Sequence, residues 1–295
     1  MFTKPVYINR TEGSFDLSVE KEAVAACRLQ EPDYKEWIPN ATLRRRMSRM
    51  VRMGVATGLQ CLGGQTGENA IPVQAILTAT GLGCLADTEK FLNTILDNDE
   101  QLLTPTAFIQ STFNTIGAQI ALLTGNHSYN TTYVHRAFSL ESALLDAALL
   151  LQEEEAQTVL VGAVDEMTPA LQALLERFGR RQKIRPGEGA AFFLLSGSPS
   201  ADCRAELVAM EMFSGSCSEQ EFSQRISTFL RKYGEEEAMV ISPEAYKSYC
   251  GEYPTAMSFA LWYACNRMQE DGFPASVLLC NSYLDNHSFL LVRKA

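Results

Sequence analysis

The side chains able to do covalent or metal chemistry are few and scattered. Eight cysteines stand at 27, 61, 84, 203, 217, 250, 265 and 280. None are in CxxC spacing and most lie inside apolar segments, the pattern of buried reduced thiols rather than a disulfide framework or a zinc site. Three histidines, His127, His135 and His287, are too few for a metal-ligand cluster, so neither a metal nor a cofactor is expected. Ser139 and Ser142 invite a serine-nucleophile reading, but no triad-like histidine and acid can be assigned around them. Ser139 reads better as the N-cap of the apolar helix that follows, with Glu141 or Ser142 helping to satisfy its first amides.

Charge offers a second kind of chemistry. A formal net charge of −10 argues against a broad nucleic-acid or anionic-membrane surface, since both need clustered positive charge. One basic run stands against that background: Arg44, Arg45, Arg46, Arg49 and Arg52. It reads either as the solvated face of an amphipathic helix or as a patch that steers an acidic partner. Glu153, Glu154 and Glu155 read as an exposed helix end. The start, Met1-Phe2-Thr3-Lys4-Pro5, lacks a leader pattern, and no stretch reaches the apolar length of a membrane span, so a cytoplasmic location is expected.

The elements that must position these groups follow from periodicity. With 295 residues, 46% of them hydrophobic and 20% charged, the chain can bury a sizeable core as one large domain or two tightly packed halves. A short strand at 6–8 precedes the basic helix at 41–62, which places Leu43, Met47, Met50, Val51 and Gly54 on one face. A buried strand at 71–80 ends in the Gly81-Leu82-Gly83 turn, and a helix starts near Asp87-Thr88-Glu89. Further helices are expected at 107–123 and at 139–151, the latter apolar on nearly every side as a buried helix must be. Strands are expected at 129–134, 158–164 and 190–195. The order then recurs in miniature: strand 205–213, helix 219–233, strand 238–242, helix 256–269 and closing strands at 276–281 and 288–293. The alternation predicts an α/β protein with mainly parallel sheets in layers with helices, built as two related halves, 1–200 and a shortened 201–295.

Three stretches in the right order resemble the β-ketoacyl synthase family, which uses the thiolase fold. They are TPTAFIQSTFNTIGAQIALLTG at 104–125, NTTYVHRAFSLESALLDAALLLQEEEAQTVLVGAVDEMTP at 130–169 and GEGAAFFLL at 187–195. Weaker similarity extends to ATLRRRMSRMVRMGVATGL at 41–59 and GEYPTAMSFALWYACNRM at 251–268. Within the family, the NTTYVHRAFSLESALLDA pattern resembles ketosynthase-like proteins of the chain-length-factor type found with aryl-polyene or flexirubin-type pigment synthesis.

Ketosynthase chemistry needs a thiolate at a sharp strand-to-helix turn and two histidines to polarise a malonyl thioester. Reading back from Gly162-Ala163-Val164, the resemblance puts Ala137 at the cysteine position, within about one residue, and no cysteine lies between 84 and 203. At the first histidine position the strand runs into Ser242-Pro243-Glu244; at the second, Gly251 is followed by Glu252. Asn281-Ser282 matches the start of the family's gating loop, but Tyr283-Leu284-Asp285-Asn286 continues without its glycines.

The resemblance therefore implies vestigial positions at Ala137 and Glu252 and no catalytic residue. Phe108, Phe113, Ile116, His135 and Phe138 are candidates for lining a pocket or shared acyl tunnel. The phenylalanines and Ile116 equally suit a core, and His135 suits a hydrogen-bonded place near a subunit interface. Arg44, Arg45, Arg46 and Arg49 are candidates for docking an acyl carrier protein.

The implied role is a non-catalytic subunit that pairs with an active β-ketoacyl synthase in type II fatty-acid or polyketide synthesis, as heterodimer or homodimer. Residual decarboxylase or acyltransferase activity, and a homodimeric acyl-binding module, remain as alternatives.

Overall fold

The computed structural model describes residues 2–15, 31–64, 71–101, 103, 105–177 and 185–295; Cys27 lies outside them. The elements follow in the order β1 (Val6–Gly13), α1 (Tyr34–Trp37), α2 (Ala41–Arg46), α3 (Arg49–Cys61), β2 (Ala75–Ala79), α4 (Leu85–Asp97), α5 (Pro105–Gln110), α6 (Thr115–Thr124) and β3 (Tyr129–Tyr133). A 3-10 turn at Arg136–Phe138 leads into α7 (Ser139–Gln152). Then come β4 (Thr158–Asp165), α8 (Pro169–Arg177), β5 (Gly189–Ser196), β6 (Ala205–Ser214), α9 (Glu219–Tyr233), β7 (Met239–Ile241), α10 (Pro243–Cys250), α11 (Met257–Arg267), β8 (Ser276–Tyr283) and β9 (Asn286–Arg293).

The strands form one nine-stranded sheet in the order β3-β2-β4-β5-β1-β6-β9-β8-β7. The parallel pairing expected from the alternation of strands and helices holds at the flanks, β3-β2-β4 and β8-β7. Between them every pairing is antiparallel, from β4-β5 through β1 and β6 to β9-β8. Two returns cause this: β5 comes back beside β4, and β9 folds onto β8 through a turn in which Leu284 adopts φ 55°. All of β5, and all of β4 but its first residue, is buried, which is why both read as continuous apolar runs rather than alternating ones. β1 pairs with both β5 and β6, so the sheet continues unbroken across the 197–204 connection where the two halves were divided.

Two helices expected as single rods are broken. The basic helix divides at Met47 (φ −78°, ψ 136°), because Asn40 and Ser48 each cap a separate segment, accepting from Leu43 N and Val51 N. The 107–123 helix divides at 111–114, where the Ser111 and Thr112 hydroxyls donate back to the Phe108 and Ile109 carbonyls and close the first segment. α8 and α10 were not expected. α10 has full boundary chemistry, with Ser242 as N-cap, Pro243 in the first turn and Gly251 at its end.

Candidate functional site

The bend between β3 and α7 is fixed by backbone-directed hydrogen bonds. Ser139 does not cap α7, whose first residue it is. Its Oγ accepts from His135 N at 2.9 Å and lies within hydrogen-bond distance of the carbonyls of Thr80 and Arg136 at 2.9 and 2.8 Å, which ties the bend to the end of β2. Glu141, the third residue of α7, hydrogen-bonds its own backbone amide and so does serve the helix start. It is fully buried and accepts from Ser288 Oγ of β9 at 2.5 Å. At the bend itself Arg136 has φ 52°, the left-handed region that costs a non-glycine residue of order 1–2 kcal/mol. Ala137, next to it, is buried.

Asp165 holds the facing turns together. Its Oδ1 accepts from Thr80 Oγ1, Gly81 N and Leu82 N at 2.8, 2.9 and 3.3 Å. Its Oδ2 accepts from the N–H and hydroxyl of Thr255 at 3.1 and 2.8 Å. Burial raises its pKa in spite of these donors. Five donors make this carboxylate a structural clamp with no lone pair to spare for a substrate.

Glu252 is set by a close approach of two loops. Its N–H donates to the Arg185 carbonyl at 2.7 Å and its own carbonyl accepts from Gly187 N at 3.0 Å. A Cβ on Gly187 would stand 2.0 Å from the Cys250 carbonyl oxygen, so only glycine fits there. The Glu252 carboxylate accepts from Lys247 Nζ at 2.9 Å, and the buried ammonium also donates to the Ser282 carbonyl at 2.6 Å. Burial raises the Glu252 pKa, opposed by the Lys247 charge. Beside this pair, Tyr246 OH donates to Asn281 Oδ1 at 2.8 Å. Burial pushes Glu141 up to about 7 against hydrogen bonds from Ser288 and Asn281 and the charge of Lys247.

These segments enclose a cavity of about 220 Å³. Arg136, Glu166, Glu252 and Tyr283 supply polar lining, and Leu82, Met167, Leu171, Leu175, Pro254 and Leu284 much of the apolar wall. Glu166 accepts from Ala86 N at 2.9 Å, and burial pushes its pKa up to about 7, aided by Asp87 and Glu188 and opposed by that hydrogen bond and by Arg49.

The structure thus brings Glu252 and the bend to one cavity, but the bend presents Arg136 there while Ala137 packs inside. His135 is exposed and bonds Ser142 Oγ through Nδ1 at 2.9 Å, outside the cavity lining; Phe138, half-buried, does not line it either. Phe108 and Phe113 are exposed, Phe108 against Phe91 and Phe113 over Gly83, whereas Ile116 is buried against Gly54 of α3. Of the arginines, Arg49 forms a two-pronged pair with buried Glu188 at 2.9 and 2.7 Å and also bonds Glu31, so its charge is spent inside the molecule. Arg44 donates to the Ile38 and Pro39 carbonyls. Arg45 and Arg46 are exposed.

The sequence reading missed Arg136, Glu166 and Lys247. Lys247 could have been flagged by the Ser-Pro-Glu start of α10, which fixes a helix and puts a lysine on it five residues before Glu252. Nothing local marks the positive φ of Arg136.

The sheet order, the buried helix behind the bend and the cavity define an α/β protein of the thiolase-like ketosynthase type. The chain belongs to the family described as the β-ketoacyl synthase N-terminal domain, whose model matches residues 19–246. No curated protein matches it by sequence. Among solved structures it is similar to the AntDE:AntF assembly, a type II PKS acyl-carrier protein in complex with its ketosynthase bound to the hexaketide, with TM-score 0.79, 14% identity and 99% of each chain covered. It is also similar to the ishigamide ketosynthase/chain length factor, with TM-score 0.77, 13% identity and 98% of this chain and 99% of that one covered. A β-ketoacyl synthase from Burkholderia phymatum STM815 has TM-score 0.74 and 13% identity, with 99% and 100% covered. At these identities the likeness is one of fold.

Proposed function

We propose that this chain is a chain-length-factor-type subunit without a nucleophile. It would pair with an active β-ketoacyl synthase in type II fatty-acid or polyketide synthesis, with an aryl-polyene-like pathway as the expected setting and the cytoplasm as its place. One observation carries the reading: among the described residues, the cavity at the strand-to-helix bend is lined by a guanidinium and two carboxyls and by no thiol or imidazole. Condensation needs a thiolate. Cys84, which directly follows the 81–83 turn, is buried and its thiol is pushed up to about 12, so it stays protonated.

The partner would hold the growing chain on its own cysteine and join it to malonate carried on an acyl carrier protein. Two structural relatives are named for such assemblies, one with its carrier protein and one with a chain length factor. The surface suits pairing: β3 is the outermost strand on its flank of the sheet, and Phe108, Ile109, Leu122, Tyr129 and Leu149 are exposed on β3 and on helices α5, α6 and α7, with Phe113 exposed in the break between α5 and α6. An apolar face of this kind is costly to leave in water. Arg45 and Arg46 are the arginines left for an acidic carrier protein.

Co-expression with candidate synthases followed by size-exclusion chromatography tests the reading. A co-eluting pair whose product length shifts when Phe113 is replaced by alanine supports it. A chain that stays monomeric and never changes any synthase's rate or product overturns it. Turnover of malonyl carrier protein by this chain alone, abolished in Glu252→Gln, would instead favour residual decarboxylation.

A further inference from the structure

The charges around the cavity do not cancel. Lys247 and Glu252 neutralise one another, and behind the wall Arg49 is shared between Glu188 and Glu31. Glu166 already has an amide donor, and burial raises its pKa. Arg136 remains. Among the described residues no carboxylate forms an ion pair with it and its side chain makes no hydrogen bond, although two carboxyls share its cavity. Its backbone is held in the left-handed region, where glycine or asparagine would sit at less cost. A strained, long and cationic residue kept at the mouth of a cavity points to a ligand for its head group.

The rest of the lining defines that ligand. Leu82, Met167, Leu171, Leu175 and Leu284 form an apolar wall and offer no charged group. At ~30 Å³ per water-sized group, 220 Å³ holds about seven such groups. We propose that the cavity binds a short aliphatic carboxylate of roughly four to six carbons, with the Arg136 guanidinium forked onto the carboxylate and the chain against the leucines. The site goes beyond the partner-subunit reading, since it needs neither a synthase nor a carrier protein. The carboxylate could belong to a free acid or to the end of an acyl group carried as a thioester; the shared chemistry is a carboxylate beside an aliphatic stem.

Isothermal titration of the purified chain, or of its complex if a partner co-purifies, tests the proposal. The probes are acetate, butyrate, hexanoate, hexanol and hexylamine, with succinyl-coenzyme A for the thioester source. Hexanoate is expected to bind at least tenfold tighter than acetate, with hexanol and hexylamine not binding. Tighter binding of succinyl-coenzyme A than of hexanoate would assign the thioester source, and the reverse the free acid. Arg136→Met should lower hexanoate affinity at least tenfold. Arg136→Gly should do the same while its urea midpoint is no lower than that of the parent chain, which separates lost recognition from lost folding. Equal binding of hexanol and hexanoate, full affinity in Arg136→Gly, or no carboxylate binding at 10-fold excess over roughly millimolar affinity would overturn it. Loss of partner pairing with acid binding intact would break the proposed function and leave this inference standing.

Discussion

The cavity under the bend and the aromatic knot of the second half solve opposite problems with the same sheet. In the knot, α9 packs on β6, β8 and β9. Phe289 meets Phe213, Phe222 and Phe229 at ring separations of 5.3, 5.3 and 5.5 Å. Both ends of α9 are closed, by a Ser218–Glu221 capping box and by Gly234 in the left-handed region. Around the cavity, by contrast, Lys247, Glu141, Asp165 and Glu166 are buried ionisable groups and Arg136 is strained. Apolar packing tolerates volume-conserving change, whereas a buried ionic cluster is stable only while every partner is present. The knot is built for stability and the cavity wall for shape.

Three tests sharpen that contrast. The largest effect is expected in the knot, where Phe289→Ala opens a cavity among three rings and should cost about 3–5 kcal/mol. Urea unfolding should show it. A loss under about 1 kcal/mol would mean that the rings do not act as one packed unit.

Next, Lys247→Met should cost about 2–4 kcal/mol, because it strands the Glu252 carboxylate and the Ser282 carbonyl. The double variant Lys247→Met with Glu252→Gln should recover a large part of that loss in the same measurement. Additive losses would show that the two side chains are not coupled.

The smallest effect is a pH slope. Glu141 has a folded pKa of about 7, raised by burial from 4.5, so the native state binds more protons than the unfolded one between those values. Its contribution is most favourable at pH 4.5 and below and is lost as pH rises through 7, by up to about 3 kcal/mol. Glu166 and Glu252 shift in the same direction. The urea midpoint should therefore fall between pH 5 and 8, and Glu141→Gln, which can still accept from Ser288, should flatten the fall. An unchanged slope in the variant would remove Glu141 as its source.

What the sequence made legible follows the range of the interactions. β4 and β5 were readable because burial on both faces writes itself as an unbroken apolar run. The helix breaks at Met47 and at 111–114 were not, since Ser48, Ser111 and Thr112 act through hydrogen bonds that periodicity ignores. Family resemblance pointed to Ala137 at this bend, but not to the backbone conformation there, in which Arg136 faces the cavity and Ala137 the interior. The role of Glu141 at its helix start was legible, but its bond to Ser288 was not, because Ser288 is 147 residues away, beyond any local pattern. Arg49 was read as a surface charge for the same reason, its carboxylate partner Glu188 being 139 residues further on.

The place of β1 bears on how the chain comes to be folded. Residues 6–13 are made long before either of their neighbours in the sheet, 189–196 and 205–214. At synthesis rates of ~5–20 residues per second this strand waits roughly ten to forty seconds with both edges bare. Assembly of the middle of the sheet is therefore post-poned until most of the polypeptide exists. During that interval the nascent chain is most exposed to mispairing and most in need of a holding chaperone.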